Sequence, residues 1–212
     1  GGAELAALVR RRAGAGGGLL AVRPSSGQAF PAAIPVAAPV GDYGFGRGRH
    51  YAFTRMAREG GELQLADARP TARPEQVGHG VRAFAFAPDG EAIAFLADAV
   101  PGKQGNLRLR AGTRDLALGN EVGEFRWAAR AQRLAWLEDY DPRVRSGTLG
   151  AGGPDLPRRT LGKDVSDLEL AADGKHVAFL QHTARGGYSV DLLLAALDAP
   201  GGTPPRRVAQ GS

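Results

Sequence analysis

The sequence contains no cysteine, only three lysines and a single methionine among its 212 residues. The absence of cysteine excludes a disulfide framework and a thiolate metal site, and it is compatible with either redox compartment. No run of eighteen apolar residues occurs, so we expect no membrane insertion, and the first residues lack the pattern of a signal peptide. Because lysine is scarce, arginine carries nearly all of the positive charge.

The formal net charge is +5 and the isoelectric point is near 10.1. Nucleic-acid-binding domains are often this basic, but their basic residues cluster on one face, whereas here they are scattered through the whole chain. We therefore expect no nucleic-acid partner. The 32 glycines and 14 prolines exceed the average for globular proteins, and a turn-rich all-β architecture accounts for them.

A short apolar phrase, with alanine between two larger residues, recurs every 41 to 43 residues. Its four copies are Tyr51-Ala52-Phe53, Ile93-Ala94-Phe95, Leu134-Ala135-Trp136 and Val177-Ala178-Phe179. A period of about forty residues with one strand-like phrase per unit is typical of β-propeller blades. The repeat predicts an all-β fold, namely a β-propeller of four-stranded antiparallel blades.

The clearest unit begins with two apolar runs, Val81 to Phe86 and Ala92 to Leu96, which read as strands covered on both faces. Pro88-Asp89-Gly90 between them has the chemistry of a tight turn. The third repeat has Arg130-Ala131 at that place, so we expect its turn to differ or to be strained. The innermost strands should end at Gly44, Phe86, Trp127 and Leu170.

Two outer strands should follow in each unit. Leu107 and Leu109 alternate with arginines, which indicates a half-exposed third strand. Third strands are predicted at 62–66, 106–110, 147–150 and 190–196, and short fourth strands at 72–76, 115–118, 157–160 and 206–209. In the first forty residues we expect strands at 5–9, 19–22 and 30–36, with a loop from Arg10 to Gly18.

The domain prediction is one partial array over residues 1–212, of about four full blades plus an incomplete amino-terminal blade. Residues 1–40 form the incomplete blade, and full blades occupy 41–79, 80–121, 122–163 and 164–212, the last ending before the next inner strand. Because the chain starts after one inner strand and ends before another, we expect flanking sequence or another chain to complete the propeller.

The unit from Phe86 to Gly112, with Pro88-Asp89-Gly90, resembles the Pro-Asp-Gly repeats of TolB-like β-propellers, and Ala172-Asp173-Gly174 is its second-best copy. The same repeat type builds the propeller of prolyl oligopeptidase-family peptidases. The resemblance covers roughly residues 42–212. It implies a binding or scaffolding role, often in the bacterial periplasm, or a propeller that covers a separate hydrolase domain.

Catalytic signatures are missing from the sequence. Neither a Gly-x-Ser-x-Gly elbow nor a His-Glu-x-x-His, EF-hand or Walker motif occurs. We interpret Gly44-Phe45-Gly46-Arg47-Gly48 as a blade turn rather than a dinucleotide loop, and Arg10-Arg11-Arg12 as a solvated loop rather than a phosphate site. The six serines that lack a nucleophile context are Ser25, Ser26, Ser146, Ser166, Ser189 and Ser212.

Metal binding is not predicted from the histidines, because His50, His79, His176 and His182 are far apart and the repeat places His50 and His176 on different blades. The densest acidic cluster is Glu138, Asp139 and Asp141 beside Tyr140, on a long loop between the second and third strands. It is interpreted either as a site for a cation or a basic partner or, preferably, as a solvated loop.

These observations predict no catalytic, cofactor-binding or metal-binding residues and no cofactor. The main hypothesis is a non-catalytic, TolB-like propeller that binds or scaffolds another protein, within a larger bacterial envelope or secreted protein. A periplasmic or secreted location is expected, with the cytoplasm as the alternative. The rival hypothesis is the propeller domain of a prolyl oligopeptidase-like serine peptidase whose catalytic domain lies outside this chain. A sugar- or ion-binding propeller is a third interpretation.

Overall fold

The computed structural model describes residues 6–11, 18–23, 34–36, 40–46, 50–57, 60–67, 73–99, 103–183, 189–199 and 203–211. All helical or extended structure in these residues is β-strand, as predicted. Within them, no helix is long and apolar enough to cross a membrane.

The strands of the described residues form four sheets in which neighbours are antiparallel. The amino-terminal sheet contains β1 (Ala6–Arg11), β2 (Gly18–Arg23) and β3 (Ile34–Val36). The first blade contains β4 (Val40–Phe45), β5 (His50–Ala57), β6 (Gly60–Asp67) and β7 (Glu75–Val81). The second blade contains β8 (Ala83–Phe86), β9 (Ala92–Ala97), β10 (Gly105–Ala111) and β11 (Arg114–Val122).

The fourth sheet has seven strands: β12 (Glu124–Trp127), β13 (Leu134–Asp141), β14 (Ser146–Gly152), β15 (Arg159–Leu170), β16 (His176–His182), β17 (Val190–Ala196) and β18 (Arg206–Gln210). It holds two blades, because the twelve-residue β15 pairs with β14 through its first half and with β16 through its second. We call β12 to β14 with the first half of β15 the third blade, and the remainder the fourth blade. The chain is thus a partial propeller.

The recurring phrase lies in the second strand of every blade, where it is largely buried. All six residues of β9 are buried, which confirms a strand covered on both faces. The expectation for Val81 to Phe86 was wrong in part, since Val81 ends β7 and Arg82 and Ala83 are exposed. The physical reason is that β8 is the edge strand of its sheet, with no strand beyond it to cover it.

The outermost strands are longer than predicted, since β7, β11 and β15 continue past a bulge and lead into the next blade. A bulge sets two residues opposite one, and here the bulged residue is apolar. The residue after it is glycine in three blades and alanine in the fourth. These dipeptides are Val77-Gly78, Leu118-Gly119, Leu161-Gly162 and Val208-Ala209.

An aromatic ring from the following blade lies on each of those three glycines, an arrangement that we call the ring-on-glycine contact. A methyl group added at Gly78 would lie 2.8 Å from Cε2 of Phe95; at Gly119, 2.6 Å from Nε1 of Trp136; at Gly162, 3.0 Å from Cε2 of Phe179. Real Cβ atoms essentially never come closer than 3.0 Å to a neighbour, which excludes a side chain at Gly78 and Gly119 without a shift, and the contact at Gly162 would be unusually tight. The missing side chain therefore makes room for the ring that joins two blades.

Among the described residues, three apolar clusters fill the spaces between the four blades. The cluster between the second and third blades contains Leu96, Leu107, Leu118 and Trp136, none more than 5% exposed. Each fully buried large side chain stabilises the fold by about 1.5–3 kcal/mol. Burial between blades, rather than within one sheet, therefore holds the array together.

Two kinds of turn repeat along the array. Gly90 and Gly174 have φ of 74° and 67° in the turn between first and second strands, whereas Ala131 does not have a positive φ, so the third turn differs as predicted. The junction between blades has Gly80, Glu121 and Asp164 in the left-handed region, with φ of 56°, 46° and 55°. Only glycine adopts that conformation without cost.

The amino-terminal strands lie near their predicted positions, but β1 runs to Arg11, so the loop expected from Arg10 begins later. The innermost strands end at Phe86, Trp127 and Leu170 as predicted, and β4 ends one residue later than expected, at Phe45.

Candidate binding site at the mouth between the third and fourth blades

A cavity of about 530 Å³ opens where the inner strands of the third and fourth blades meet the turn between β13 and β14. We call it the mouth cavity. Its lining mixes apolar, aromatic and charged groups: Gly123, Glu124, Arg126, Leu137, Tyr140, Val144, Arg145, Ser166, Asp167 and His182. Smaller cavities of about 400 Å³ and 370 Å³ lie elsewhere along the array.

Tyr140 is placed at the cavity by a glycine of its own blade. A methyl group at Gly123 would lie 2.6 Å from Cδ1 and 2.8 Å from Cδ2 of the tyrosine ring, so the ring rests on the backbone there. The amide of Gly123 donates to the carbonyl of Leu137 at 2.9 Å, which fixes that backbone. The second blade has Arg82 and Ala99 at these two positions, and the fourth has Ser166 and Thr183. The pair therefore belongs to the third blade alone among these three.

The turn after β13 presents the cavity's most accessible apolar group. The carboxylate of Asp141 accepts from the amide of Arg143 at 2.8 Å, and its carbonyl accepts from the amide of Arg145 at 2.8 Å. Arg145 closes the turn with φ of 55°. Val144, in this turn, is 63% exposed, which is among the largest exposures of an apolar side chain in the described residues.

Charges of both signs line the inner side of the mouth cavity. Arg126 pairs across the blades with Glu169, its Nη1 lying 2.9 Å from Oε2, and its Nη2 lies 3.7 Å from Oε2 of Glu124. Arg145 has no ion pair or side-chain hydrogen bond to the residues that the structure describes. The cavity thus offers an unpaired guanidinium near an apolar surface.

The predicted acidic cluster does not converge on one site. Glu138 is only 3% exposed, and its two oxygens accept from Arg158 at 2.7 Å and from Nε1 of Trp136 at 3.3 Å. The carboxylate of Asp141 is hydrogen-bonded within the turn after β13, and Asp139 is exposed with φ of 49°. The expectation of a long loop was wrong, because β13 extends to Asp141 and shortens the connection. Among the described residues, no group of three His, Asp or Glu side chains could hold a metal ion.

Ser166 and His182 both line the mouth cavity, although neither stood in a recognised motif. No hydrogen bond joins these two side chains in the described structure, whereas a serine nucleophile requires one to its base. Ser189 donates instead to the carbonyl of Gly211 at 2.8 Å. Ser146 begins β14, and Ser25, Ser26 and Ser212 lie outside the described residues.

The remaining candidate residues are separated. His50 and His176 begin the second strands of the first and fourth blades, and His79 contacts Gln76. Of the glycine-rich segment, Gly44 lies in β4 rather than in a turn, and the amide of Gly46, which follows β4, donates to the carbonyl of His50 at 2.9 Å. The rings of Phe84 and Phe86 lie against these two glycines. Arg47 and Gly48 lie outside the described residues, as does Arg12.

The sequence interpretation missed the convergence of Tyr140, Val144, Arg145, Ser166 and His182. The available signal was in the segment from Tyr140 to Arg145, because Tyr140, Val144 and Arg145 align with Ala99, Lys103 and Gln104 of the second unit and do not recur there. In a repeat protein, residues that serve the fold recur in each unit, so a residue that does not recur needs another explanation.

No protein-family model and no curated protein matches this sequence. Among solved structures, a eukaryotic initiation factor superimposes with a TM-score of 0.63 at 7% identity, covering 97% of this chain and 54% of that one. TolB from Acinetobacter baumannii superimposes with a TM-score of 0.48 at 14% identity, covering 92% and 49%. A prolyl endopeptidase superimposes with a TM-score of 0.49 at 16% identity, covering 82% and 30%.

TolB proteins and prolyl endopeptidases are thus among the similar structures, as the Pro-Asp-Gly repeats predicted. At these identities the likeness concerns the β-propeller fold alone. The chain spans about half the length of the TolB and initiation-factor chains.

Proposed function

We propose that this propeller segment is a non-catalytic protein-binding module, and that the mouth cavity receives an extended segment of the partner protein. It would act as a scaffold within a larger bacterial envelope or secreted protein, in the periplasm or outside the cell. Residues 1–212 would form one array with the blade limits predicted from the sequence, and no residue would serve catalysis, a metal or a cofactor.

The observation that carries the proposal is the exposed Val144 beside Tyr140 and the unpaired Arg145. Protein interfaces favour aromatic and arginine side chains around an apolar centre, with polar groups at the rim. A valine that becomes fully buried contributes about 1.5–3 kcal/mol, which is tenfold or more in affinity. Arg126 and Glu124 beside it provide donors and acceptors for a peptide backbone.

The test uses a phage-displayed library of twelve-residue peptides selected on the purified chain, followed by titration of the enriched peptides by fluorescence polarisation. We expect Val144→Asp and Tyr140→Ala to weaken binding at least tenfold. Tyr43→Asp is the control, because Tyr43 is 47% exposed and does not line the mouth cavity. Enriched peptides that bind all variants equally would refute the proposal, and so would a library that yields no binder.

The alternative is the propeller domain of a prolyl oligopeptidase-like peptidase, supported by the shared Pro-Asp-Gly repeat. A Gly-x-Ser-x-Gly segment followed by Asp and His in the adjoining gene sequence would favour it. The sugar- or ion-binding interpretation would be favoured if a monosaccharide or a divalent cation, rather than a peptide, gave saturable binding that Tyr140→Ala abolishes.

A further inference from the structure

The fourth blade carries an apolar face whose counterparts in the second and third blades are buried. In the third blade Ala135, Leu137, Leu149 and Ala151 pack against the fourth blade and are at most 2% exposed. The strand registers make Ala178, Leu180, Leu192 and Leu194 their equivalents. All four of these are only partly buried. The fourth blade therefore presents an interblade surface without its usual cover.

The bulged residue of the outermost strand shows the same difference. Leu118 in the second blade is 5% exposed, because it packs against the third blade. Leu161 in the third blade packs against the apolar cluster between the third and fourth blades. Val208 occupies this position in β18 and is 54% exposed. Ala178, Leu180, Leu192, Leu194 and Val208 thus correspond to apolar positions that contact a following blade, and the surface continues the series of established interfaces.

One position in this surface departs from the pattern. An aromatic ring of the following blade lies against Gly78, Gly119 and Gly162. In β18 the equivalent position is Ala209. A methyl group at those glycines would lie within 3.0 Å of the ring. Ala209 carries that methyl group, so an aromatic ring could not approach β18 as closely as it does the other three strands.

We propose that the fourth blade is the docking face for one further β-blade of the same repeat type, whose second strand carries an aliphatic residue where Phe95, Trp136 and Phe179 stand. The equivalence of the four blades identifies the partner as another blade. Ala209 identifies the side chain that contacts β18 as aliphatic rather than aromatic. The inference is independent of the mouth cavity and of the function proposed for it.

The experiment supplies the blade as a fused copy. Residues 165–211 are duplicated directly after Gly211, so that the copied Val165 follows the junction in the same register as the original. Four proteins combine two choices. In the copied blade Phe179 is kept or changed to Leu, and in the original blade Ala209 is kept or changed to Gly. Their melting temperatures form a double-mutant cycle that isolates the coupling between the two positions.

We expect every fusion to melt above the original chain, because one more interblade contact is formed. With Ala209, the leucine version should be more stable than the phenylalanine version by roughly 3 °C or more, and Ala209→Gly should reverse that order. Leu192→Ser should lower the melting temperature more in the fusion than in the original chain, since only the fusion buries Leu192.

Three results would overturn the proposal. The first is a fusion that melts no higher than the original chain. The second is a preference for leucine or phenylalanine that Ala209→Gly leaves unchanged. The third is an original chain that sediments as a dimer and becomes monomeric with Leu192→Ser, because the face would then be covered by a second copy.

Discussion

Substituting Gly119 by alanine should destabilise the junction between the second and third blades. The added methyl group would lie 2.6 Å from Nε1 of Trp136 and 2.7 Å from Oε2 of Glu138, the two atoms of one buried hydrogen bond. Trp136 is 0% exposed, so protein surrounds its ring and the ring cannot move aside without displacing its neighbours. Overpacking costs about 1–3 kcal/mol, and losing a hydrogen bond to a charged acceptor adds about 1.5–3 kcal/mol.

Together these give about 2.5–6 kcal/mol, which should lower the melting temperature by about 5–24 °C for a chain of this size. Gly152→Ala is the matched control, because its methyl group would lie 3.4 Å from Cη2 of the same Trp136, an ordinary contact. Differential scanning calorimetry measures both variants. In a Trp127→Phe background the fluorescence of Trp136 alone reports on the ring. Equal melting temperatures for Gly119→Ala and Gly152→Ala, with unchanged emission, would show that the ring-on-glycine contact is unimportant.

Two further predictions concern the junctions and the chemistry. Glu121→Gly and Asp164→Gly should each raise the melting temperature by a few degrees, because a left-handed backbone costs a residue with a side chain about 1–2 kcal/mol; Gly80→Ala is the opposite control, and lower melting temperatures for both glycine variants would contradict this explanation. The purified chain should hydrolyse neither peptides nor esters in a steady-state assay, since no serine is hydrogen-bonded to a base among the described residues. Turnover that Ser166→Ala abolishes would be the contrary result.

The fold could be predicted from the sequence because its strongest signal repeats four times. The phrase ending in Phe53, Phe95, Trp136 and Phe179 marks the second strand of each blade, and four occurrences determine the period without any structure. Strand ends were less predictable. The outer strands continue through their bulges to Val81 and Val122, where hydrogen bonding to the neighbouring strand, rather than local propensity, decides the limit.

The candidate site and the ring-on-glycine contact were harder to predict for two different reasons. Leu118-Gly119 and its equivalents are two-residue signals in a chain with 32 glycines, so such a pair does not by itself predict a ring contact. Only the structure shows the aromatic rings that lie against these glycines. Ser166 and His182 line the same cavity because β15 and β16 are adjacent, with no spacing that a motif would describe. Glu138 looked like a surface carboxylate because its partner Arg158 is twenty residues away.

The continuous strand β15 has a mechanical consequence. Its twelve residues belong to two blades at once, whereas β7 and β11 are separated from the strands that follow them by Arg82 and Gly123. A pulling force that reaches β15 therefore loads the backbone hydrogen bonds of β14 and β16 together. Under tension we expect the third and fourth blades to rupture in one event, and the first and second blades to give way separately.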